Sequence, residues 1–294
     1  MTVLQNKINQ TVLEICEYLG YRPEAKIGII LGSGLDEPFF HGLEVVDRVP
    51  WSQLSAFKFV NELQQIKGHD KSFTFTHLGN IPILSTARLH MYESHDQLKL
   101  VELMRIYLGV LFELGVTNLI VSNIGGGLTP VGFWQKVGSI FKYKPKVGDI
   151  GIVDGFMTFL GEGMPNMGPE FVTLDDVIVE ENLQLVEKAC CWGHLNTFRG
   201  GLVYVRGPNF PGSRYEKKFQ FGSGGVISSM SMAPEAFVTA VFNANGSKIR
   251  FFPFTFICDV GLAKIEHKGN LNAVDIYKHK MSEALRELVN LCSI

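Results

Sequence analysis

The chain has 294 residues, and its 27 basic residues are nearly balanced by 29 acidic ones. This length is sufficient for a large buried core, while the charge balance gives no electrostatic footprint for nucleic acid or for an anionic membrane surface. We therefore expect one domain over residues 1–294, and we expect any anionic ligand to be bound by a local group of side chains.

The cysteines and the apolar runs indicate a cytoplasmic protein. The five cysteines have no metal-ligand spacing, and their odd number argues against a disulfide framework. The first residues lack the basic patch and apolar core of a signal peptide. The most apolar later run, residues 251–257, is too short to span a bilayer. We therefore predict a reducing, cytoplasmic location without a membrane partner.

A strand followed by a glycine loop is predicted near the amino end. Residues 27–31 form an apolar run typical of a strand buried on both faces of a parallel sheet. The run stops at Gly32 and Gly34, which enclose the hydroxyl of Ser33. Glycines at these positions let backbone N–H groups point at an anion, although a tight strand-to-helix turn without a ligand has the same pattern.

The middle of the chain repeats this arrangement. Residues 73–85 predict two strands around a tight turn, and residues 96–114 predict a helix that ends at a glycine. A strand over residues 118–122 then runs into a second glycine loop, residues 123–128. Because ligands of parallel sheets lie outside the carboxyl ends of the strands, we expect the two loops to face one pocket.

The alternation of strands and helices predicts an α/β fold, with a mixed, largely parallel central sheet flanked by helices in a single domain. Helices are also predicted at residues 12–19 and 273–291, where apolar side chains recur at helical spacing. Irregular segments are predicted at residues 35–68, which are rich in aromatics, and at residues 161–176. Further strands are predicted at residues 150–153, 202–205, 225–228 and 248–257.

Two short segments carry side chains suited to chemistry. Arg88 and His90 are two residues apart, so on an extended segment both point to the same side and can grip an oxyanion. A surface arginine beside a hydrogen-bonded core histidine has the same spacing. Ser231 and Glu235 follow a predicted strand where a helix begins, which also fits an ordinary helix start with Pro234 in its first turn.

Seven short motifs, in this order, resemble the motif series of the trimeric purine nucleoside phosphorylases and of their relatives, the methylthioadenosine phosphorylases. The series covers residues 26–260, and the ordered set is more specific than any single motif. The motifs are Ile27-Gly-Ile-Ile-Leu-Gly-Ser-Gly-Leu35, Gly68-His69, Ala87-Arg-Leu-His-Met-Tyr-Glu93, Ser122-Asn-Ile-Gly-Gly-Gly-Leu128, Val147-Gly-Asp149, Gly207-Pro-Asn-Phe210 and Met230-Ser-Met-Ala-Pro-Glu235.

The resemblance implies a nucleoside phosphorylase fold and a homotrimer. It implies a pentosyltransferase of purine salvage that cleaves purine (deoxy)ribonucleosides with inorganic phosphate to the free base and (deoxy)ribose 1-phosphate. Phosphate is then a co-substrate, and no metal or organic cofactor is required.

The resemblance also implies roles for particular residues. His90 and Asp259 would be catalytic, Tyr92 and Met230 would lie along the ribose, and Phe210 would pack against the base. The phosphate would be bound by Ser33, Arg88, His90, Asn123, the backbone N–H of Ile124, and Ser231.

The sequence departs from the family pattern around the base. Phosphorylases of 6-oxopurines have a glutamate directly after the Gly-Pro-x-Phe motif, where this chain has Pro211. They have an asparagine at the end of the late strand, where this chain has Asp259. Because an ionised carboxylate only accepts hydrogen bonds, Asp259 suits a 6-amino group better than a 6-carbonyl group. A shift of base preference towards 6-aminopurines is therefore expected.

Three alternatives stay open. Leu271 falls near the position that binds the 5′-hydroxyl in the 6-oxopurine enzymes, and an apolar residue there would accept a 5′-methylthio group, as in a methylthioadenosine phosphorylase. The missing glutamate also fits a nucleoside-binding protein with weakened or lost catalysis. A hydrolytic nucleosidase is disfavoured, because Arg88 and His90 would then have no anion to bind.

Overall fold

The chain forms nine strands and six α-helices within the residues that the structure, a computed structural model, describes: 3–32, 39–63, 71–129, 144–158, 171–205, 207, 214–261 and 267–294. The strands are β1 (Ile27–Ile30), β2 (Glu44–Pro50), β3 (Ser72–Leu78), β4 (Ile81–Thr86), β5 (Asn118–Gly127), β6 (Ile150–Met157), β7 (Thr197–Tyr204), β8 (Gly225–Ser229) and β9 (Arg250–Val260). The helices are α1 (Val3–Leu19), α2 (Gln97–Glu113), α3 (Glu180–Trp192), α4 (Arg214–Gly222), α5 (Ala233–Ala244) and α6 (His267–Cys292).

All nine strands belong to one mixed sheet, in the order β2-β3-β4-β1-β5-β8-β7-β6-β9. The strand β9 also pairs with β5, so that β5, β8, β7, β6 and β9 form a closed ring of strands. The pairs of β1 with β4 and β5, of β5 with β9, and of β7 with β6 and β8 are parallel, whereas β2, β3 and β4 pair antiparallel. The predicted α/β class with a mixed, largely parallel sheet is confirmed.

The strand β1 lies in the interior of the sheet, as its apolar run predicts. Its four residues are all buried, and it is hydrogen-bonded on one side to β4 and on the other to β5. The register sets Ile30 beside Val121. Gly32, which follows β1, therefore lies beside Ser122 and Asn123 of β5.

The predicted second glycine loop is wrong, because β5 continues through Gly127. Its glycines pair with β9 on one side and, at Gly126 and Gly127, with β8 on the other. A Cβ atom at Gly125 would lie 2.8 Å from Cγ2 of Thr255 and 2.9 Å from the carbonyl oxygen of Ser228. The glycines therefore allow close approach of neighbouring strands and do not form a loop.

The aromatic segment predicted to be irregular contains β2 and two 3-10 helices, Trp51–Gln53 and Ser55–Glu62. Three of its aromatic side chains, Phe39, Trp51 and Phe57, are buried in the core. The ring of Trp51 packs at centroid distances of 4.8 Å from Phe57 and 5.4 Å from Tyr107. Long-range packing of these rings, and pairing of β2 with β3, determine a structure that local patterning does not reveal.

The helices flank the sheet, and several begin or end differently from the predictions. Helix α1 begins at Val3 and α6 at His267, both earlier than predicted, while α3 and α4 were not predicted. Helix α2 begins as predicted, with the side chain of Asp96 accepting a hydrogen bond from the Lys99 N–H at 3.1 Å. Within the described residues, no helix combines the length and apolar character needed to cross a membrane.

The core position of the aromatic cluster gives a stability prediction. Phe57 is fully buried, so Phe57→Ala should lower the free energy of unfolding by about 3–5 kcal/mol, measured by urea denaturation. Phe59→Ala is the matched control, because Phe59 is only partly buried and contacts Lys99. Equal losses in the two variants would contradict this packing.

Candidate functional site

The candidate site begins where the chain leaves β1 and meets β5. The Gly32 N–H donates to Oγ of Ser122 at 3.3 Å. A Cβ atom at Gly32 would lie 2.7 Å from Cα of Asn123 and 3.1 Å from the backbone nitrogen of Ile124. Only glycine therefore allows the two segments to approach this closely. Ser33, the predicted phosphate ligand that follows, lies outside the described residues.

Arg88 is the buried cation of the site. It follows β4, and its side chain is 1% exposed. Its Nε donates to Oε1 of Glu235 at 2.7 Å, and its Nη1 donates to the carbonyl oxygen of Ser122 at 2.8 Å. Its Nη2 is buried and has no hydrogen-bond partner among the described residues. A buried N–H group without a partner is costly, so this nitrogen is a candidate donor to a ligand.

Glu235 positions Arg88 from the first turn of α5. One carboxylate oxygen accepts from Arg88, and the other accepts from the backbone N–H of Met232 at 2.9 Å. Met232 has a φ of 80°, which is unusual for a residue with a side chain. The carboxylate thereby fixes both the guanidinium group and the backbone conformation directly after Ser231. The predicted helix start at Pro234 and Glu235 is confirmed, and its carboxylate also has this second role.

Asn123 and Ser231 meet between β5, β8 and β9. The amide nitrogen of Asn123 donates to Oγ of Ser229 at 2.8 Å and to Oγ of Ser231 at 3.2 Å. Its amide oxygen accepts from Oγ1 of Thr255 at 2.6 Å. These contacts determine which way the amide points. Ile124 follows on β5, so its backbone lies beside this polar cluster.

His90 belongs to a second buried network, with Glu93 and Lys71. Oε1 of Glu93 lies 2.7 Å from the His90 backbone N–H, which donates to it, and 3.2 Å from Nδ1 of the ring. Nζ of Lys71 pairs with Oε2 of Glu93 at 2.8 Å and donates to the carbonyl oxygen of Arg88 at 2.6 Å. Burial lowers the pKa of His90, and the hydrogen bond that its ring makes to the Glu93 carboxylate opposes this shift.

Tyr92 and Met230 come together around Gly207. A Cβ atom at Gly207, which has a φ of 74°, would lie 2.7 Å from Sδ of Met230 and 2.7 Å from Cδ1 of Tyr92. The rings of Tyr92 and His90 lie 5.0 Å apart between centroids. Burial, reinforced by the charge of Glu93, raises the pKa of Tyr92 to about 12. The predicted ribose residues thus adjoin the buried charges.

Asp259 lies near the end of β9, where it pairs with Gly126 of β5. Its carboxylate lies against Gly126, where an added Cβ atom would be 2.9 Å from Oδ1. Gly126 is three residues beyond Asn123, a distance of about 10 Å along a strand. Burial raises the pKa of Asp259, while the charge of Lys217 acts in the opposite direction. The site therefore has one polar end at Asn123 and another at Asp259.

The structure brings together most of the predicted residues that it describes. Asn123 is hydrogen-bonded to Ser231, and Arg88 and His90 are connected through Lys71 and Glu93. The two groups meet where Arg88 donates to the carbonyl oxygen of Ser122, which precedes Asn123. Phe210 and Pro211 lie outside the described residues, and Leu271 falls within α6, where its side chain is not described. Among the described residues, no three His, Cys, Asp or Glu side chains are placed to hold a metal ion.

Sequence reasoning did not find four charged residues that position the others: Lys71, Glu93, Glu235 in its role as partner of Arg88, and Lys217. Glu93 and Glu235 each occur in a quoted motif, which is the signal that was available. Lys71 and Lys217 lie in no motif.

The environment of His90 predicts a pH-dependent stability. An unfolded histidine has a pKa of about 6.5, and burial lowers it in the folded chain. Below about pH 6.5 the unfolded chain therefore binds more protons, so the free energy of unfolding should fall by up to about 1.4 kcal/mol per pH unit. His90→Asn should flatten this decline between about pH 6.5 and 5 in urea titrations. Exposed His77 provides the control, and an equal effect of His77→Asn would contradict the assignment.

The chain is similar in sequence to two purine nucleoside phosphorylases. No family model matches the chain. It is 25% identical to a purine nucleoside phosphorylase of Mus musculus over 269 residues, which cover 89% of this chain and 84% of the mouse protein. It is 25% identical to a purine nucleoside phosphorylase of Bos taurus over 279 residues, which cover 92% of this chain and 88% of the bovine protein.

Solved structures extend this likeness to the fold. The Schistosoma mansoni purine nucleoside phosphorylase with inosine superposes with a TM-score of 0.74 at 20% identity, covering 97% of this chain and 95% of that one. The same enzyme with adenosine gives a TM-score of 0.71 at 20% identity, with coverage of 97% and 96%. The described helices and strands thus follow those of the nucleoside phosphorylases. The chain is therefore similar to purine nucleoside phosphorylases, in sequence along most of its length and in fold.

Proposed function

We propose that the chain is a purine nucleoside phosphorylase, a pentosyltransferase that uses inorganic phosphate as its second substrate. In this reaction the bond from C1′ to N9 breaks, a bond from C1′ to a phosphate oxygen forms, and the electron pair leaves with the purine. The observation that carries the proposal is the buried guanidinium group of Arg88, whose Nη2 has no hydrogen-bond partner among the described residues and whose Nη1 donates to the carbonyl oxygen of Ser122, the residue before Asn123. The phosphorylase relatives support it.

The buried charges around Arg88 favour an anionic ligand. Glu235 and Glu93 each accept hydrogen bonds and hold a cation, Arg88 and Lys71 respectively. Each pair joins one cation to one carboxylate. A phosphate dianion would therefore be stabilised by oriented donors and not by a large excess of positive charge. Arg88, His90, Ser231, Asn123, the Ile124 N–H and Ser33 would bind it. A bound phosphate below C1′ would stabilise the oxocarbenium-like sugar and then attack it.

Asp259 would act on the purine. A departing purine needs a proton at N7, and burial raises the pKa of Asp259, so its carboxyl group can hold that proton. The second oxygen of a protonated carboxyl group can accept a hydrogen bond from a 6-amino group. The separation of about 10 Å between Asn123 and Gly126 along β5 leaves room for a sugar between phosphate and base. Tyr92 and Met230 would line that sugar.

The remaining expectations belong to the same proposal. We expect a single domain over residues 1–294, a homotrimer, a cytoplasmic location and no cofactor beyond the phosphate co-substrate. Phe210 and Pro211 would contact the base, and Leu271 would lie near the 5′ position. Comparison of base release from adenosine and from methylthioadenosine distinguishes a site for a 5′-hydroxyl group from a site for a 5′-methylthio group.

The proposal predicts base release that requires phosphate. Purified protein should release base from at least one of inosine, guanosine, adenosine and methylthioadenosine in phosphate buffer, and not in a non-nucleophilic buffer. Arg88→Met should lower kcat/KM by about 100-fold or more, because it removes a cationic donor to the phosphate. Arg199→Met is the matched control, since Arg199 binds Glu187 and Glu180 near the surface.

Other results would exclude the proposal. Base release that is independent of phosphate would indicate a nucleosidase. Nucleoside binding in calorimetry without base release over hours would indicate a binding protein. Circular dichroism of Arg88→Met, with Arg88→Lys as a second variant that retains the charge, separates loss of chemistry from loss of folding.

Asp259 predicts the base preference. Asp259→Asn should raise kcat/KM on inosine relative to adenosine, because the amide NH2 can donate to a 6-carbonyl group, whereas the second oxygen of the Asp259 carboxyl group can only accept a hydrogen bond. The ratio is measured by released base. Asp154→Asn is the control, because Asp154 is an exposed residue of β6. An unchanged ratio in Asp259→Asn would mean that Asp259 does not contact the base.

A further inference from the structure

Lys217 is a buried lysine that neither the motifs nor the proposed phosphate contacts explain. It lies on α4, which follows the Gly207 motif, and it is 6% exposed. Lysine is rarely buried this deeply unless its ammonium group has a specific partner. Its Nζ donates to the carbonyl oxygen of Gly261 at 2.5 Å. The side chain thus reaches from α4 to the end of β9.

The contact at Gly261 places the ammonium group near Asp259. Gly261 is two residues beyond Asp259, and its N–H donates to the carbonyl oxygen of Gly127 at 3.1 Å. Asp259 lies against the neighbouring Gly126. Lys217 and Asp259 make no direct ion pair, so the ammonium group acts on the carboxyl group through space.

The inner face of α4 carries polar side chains beside the buried ring of Phe221, where a flanking helix would ordinarily be apolar throughout. Gln220 is three residues after Lys217, so both lie on the same side of the helix. Gln220 is buried, and its Oε1 has no hydrogen-bond partner among the described residues. The two buried polar side chains, Lys217 and Gln220, indicate that this face of α4 has a role beyond core packing.

We propose that Lys217 is a positioning residue which, through its charge, determines how readily Asp259 transfers a proton to the departing purine. This inference rests on the proposed phosphorylase function. A buried carboxyl group alone would hold its proton too tightly for efficient transfer near neutral pH. A nearby ammonium group weakens that hold, which makes Asp259 a better proton donor to N7.

The other groups that face Asp259 do not supply this charge. Among the described residues, β5 contributes Gly126, which has no side chain, and β9 contributes Cys258, whose Sγ lies 3.8 Å from Oδ2 of Asp259. Burial raises the pKa of the Cys258 thiol to about 12, so it stays neutral. Lys217 on α4 is therefore the cation described near Asp259.

The test compares variants on one helix. Lys217→Met should move the alkaline limb of kcat/KM for adenosine to higher pH by about one unit, since a unit charge several ångströms away in a medium of effective dielectric about 20 has this size of effect. Lys217→Arg should restore the original limb. Lys218→Met removes an equal charge from the partly exposed neighbour and should move nothing. Lys217→Gln, which keeps a donor for Gly261, replaces Lys217→Met if the latter does not fold.

A second readout does not depend on turnover. The titration of the Asp259 side-chain carbon, followed by carbon-13 NMR, should shift upward in Lys217→Met by a similar amount. In an Asp259→Asn background, Lys217→Met should leave the pH profile unchanged. An unshifted carboxyl titration, or a shift of the pH limb that persists without Asp259, would overturn the role of Lys217 while the phosphorylase function stands. Absence of phosphate-dependent base release in the unaltered protein would instead overturn the function.

Discussion

The buried ion pair between Arg88 and Glu235 is the interaction on which the site depends. It joins two segments that are 147 residues apart in sequence, the end of β4 and the first turn of α5. Removing one partner of such a pair is costly because it leaves an uncompensated charge in the interior. Both partners are also held by backbone groups, at Ser122 and Met232. The pair therefore holds the guanidinium group against the backbone of Ser122 and fixes the conformation after Ser231.

The strand β5 provides the second constraint. It is paired with β1, β8 and β9, and its glycine run lets these neighbours approach without intervening side chains. Asn123 and Gly126, the residue that faces Asp259, both lie on β5. The distance between the two polar ends of the site is therefore set by strand geometry. Because β5 is held on both sides, neither end can move independently of the other.

Local sequence patterns predicted those parts of the fold that depend on neighbouring residues. The buried β1, the hairpin of β3 and β4, and the helix α2 follow directly from apolar periodicity and turn residues. The continuation of β5 through Gly127 was not predicted, because a glycine that admits a neighbouring strand looks the same as one that forms a turn. Helix α4 was missed because its buried face carries Lys217 and Gln220, which break the apolar period.

The candidate site was predicted only in part, because several of its contacts also join residues that are distant in sequence. Arg88, His90 and Asn123 lie in short motifs at strand ends, where their residue types indicate anion binding. The residues that orient them do so across the fold: Lys71 reaches Glu93 over 22 positions, and no local pattern records that contact. Charges that act through space, such as that of Lys217 on Asp259, leave still less trace in a sequence.

The closed ring of strands also bears on self-association. Each described strand except β2 has neighbours on both sides, so the sheet has one unpaired edge. Free edges pair readily with the edges of other chains, and bulges, charges and proline residues counter this tendency. The strand β2 has an irregular register between Val45 and Asp47, a charged pair of residues at Asp47 and Arg48, and a proline at its end. Ring closure thus confines the hazard of edge-to-edge aggregation to one short strand whose own sequence opposes it.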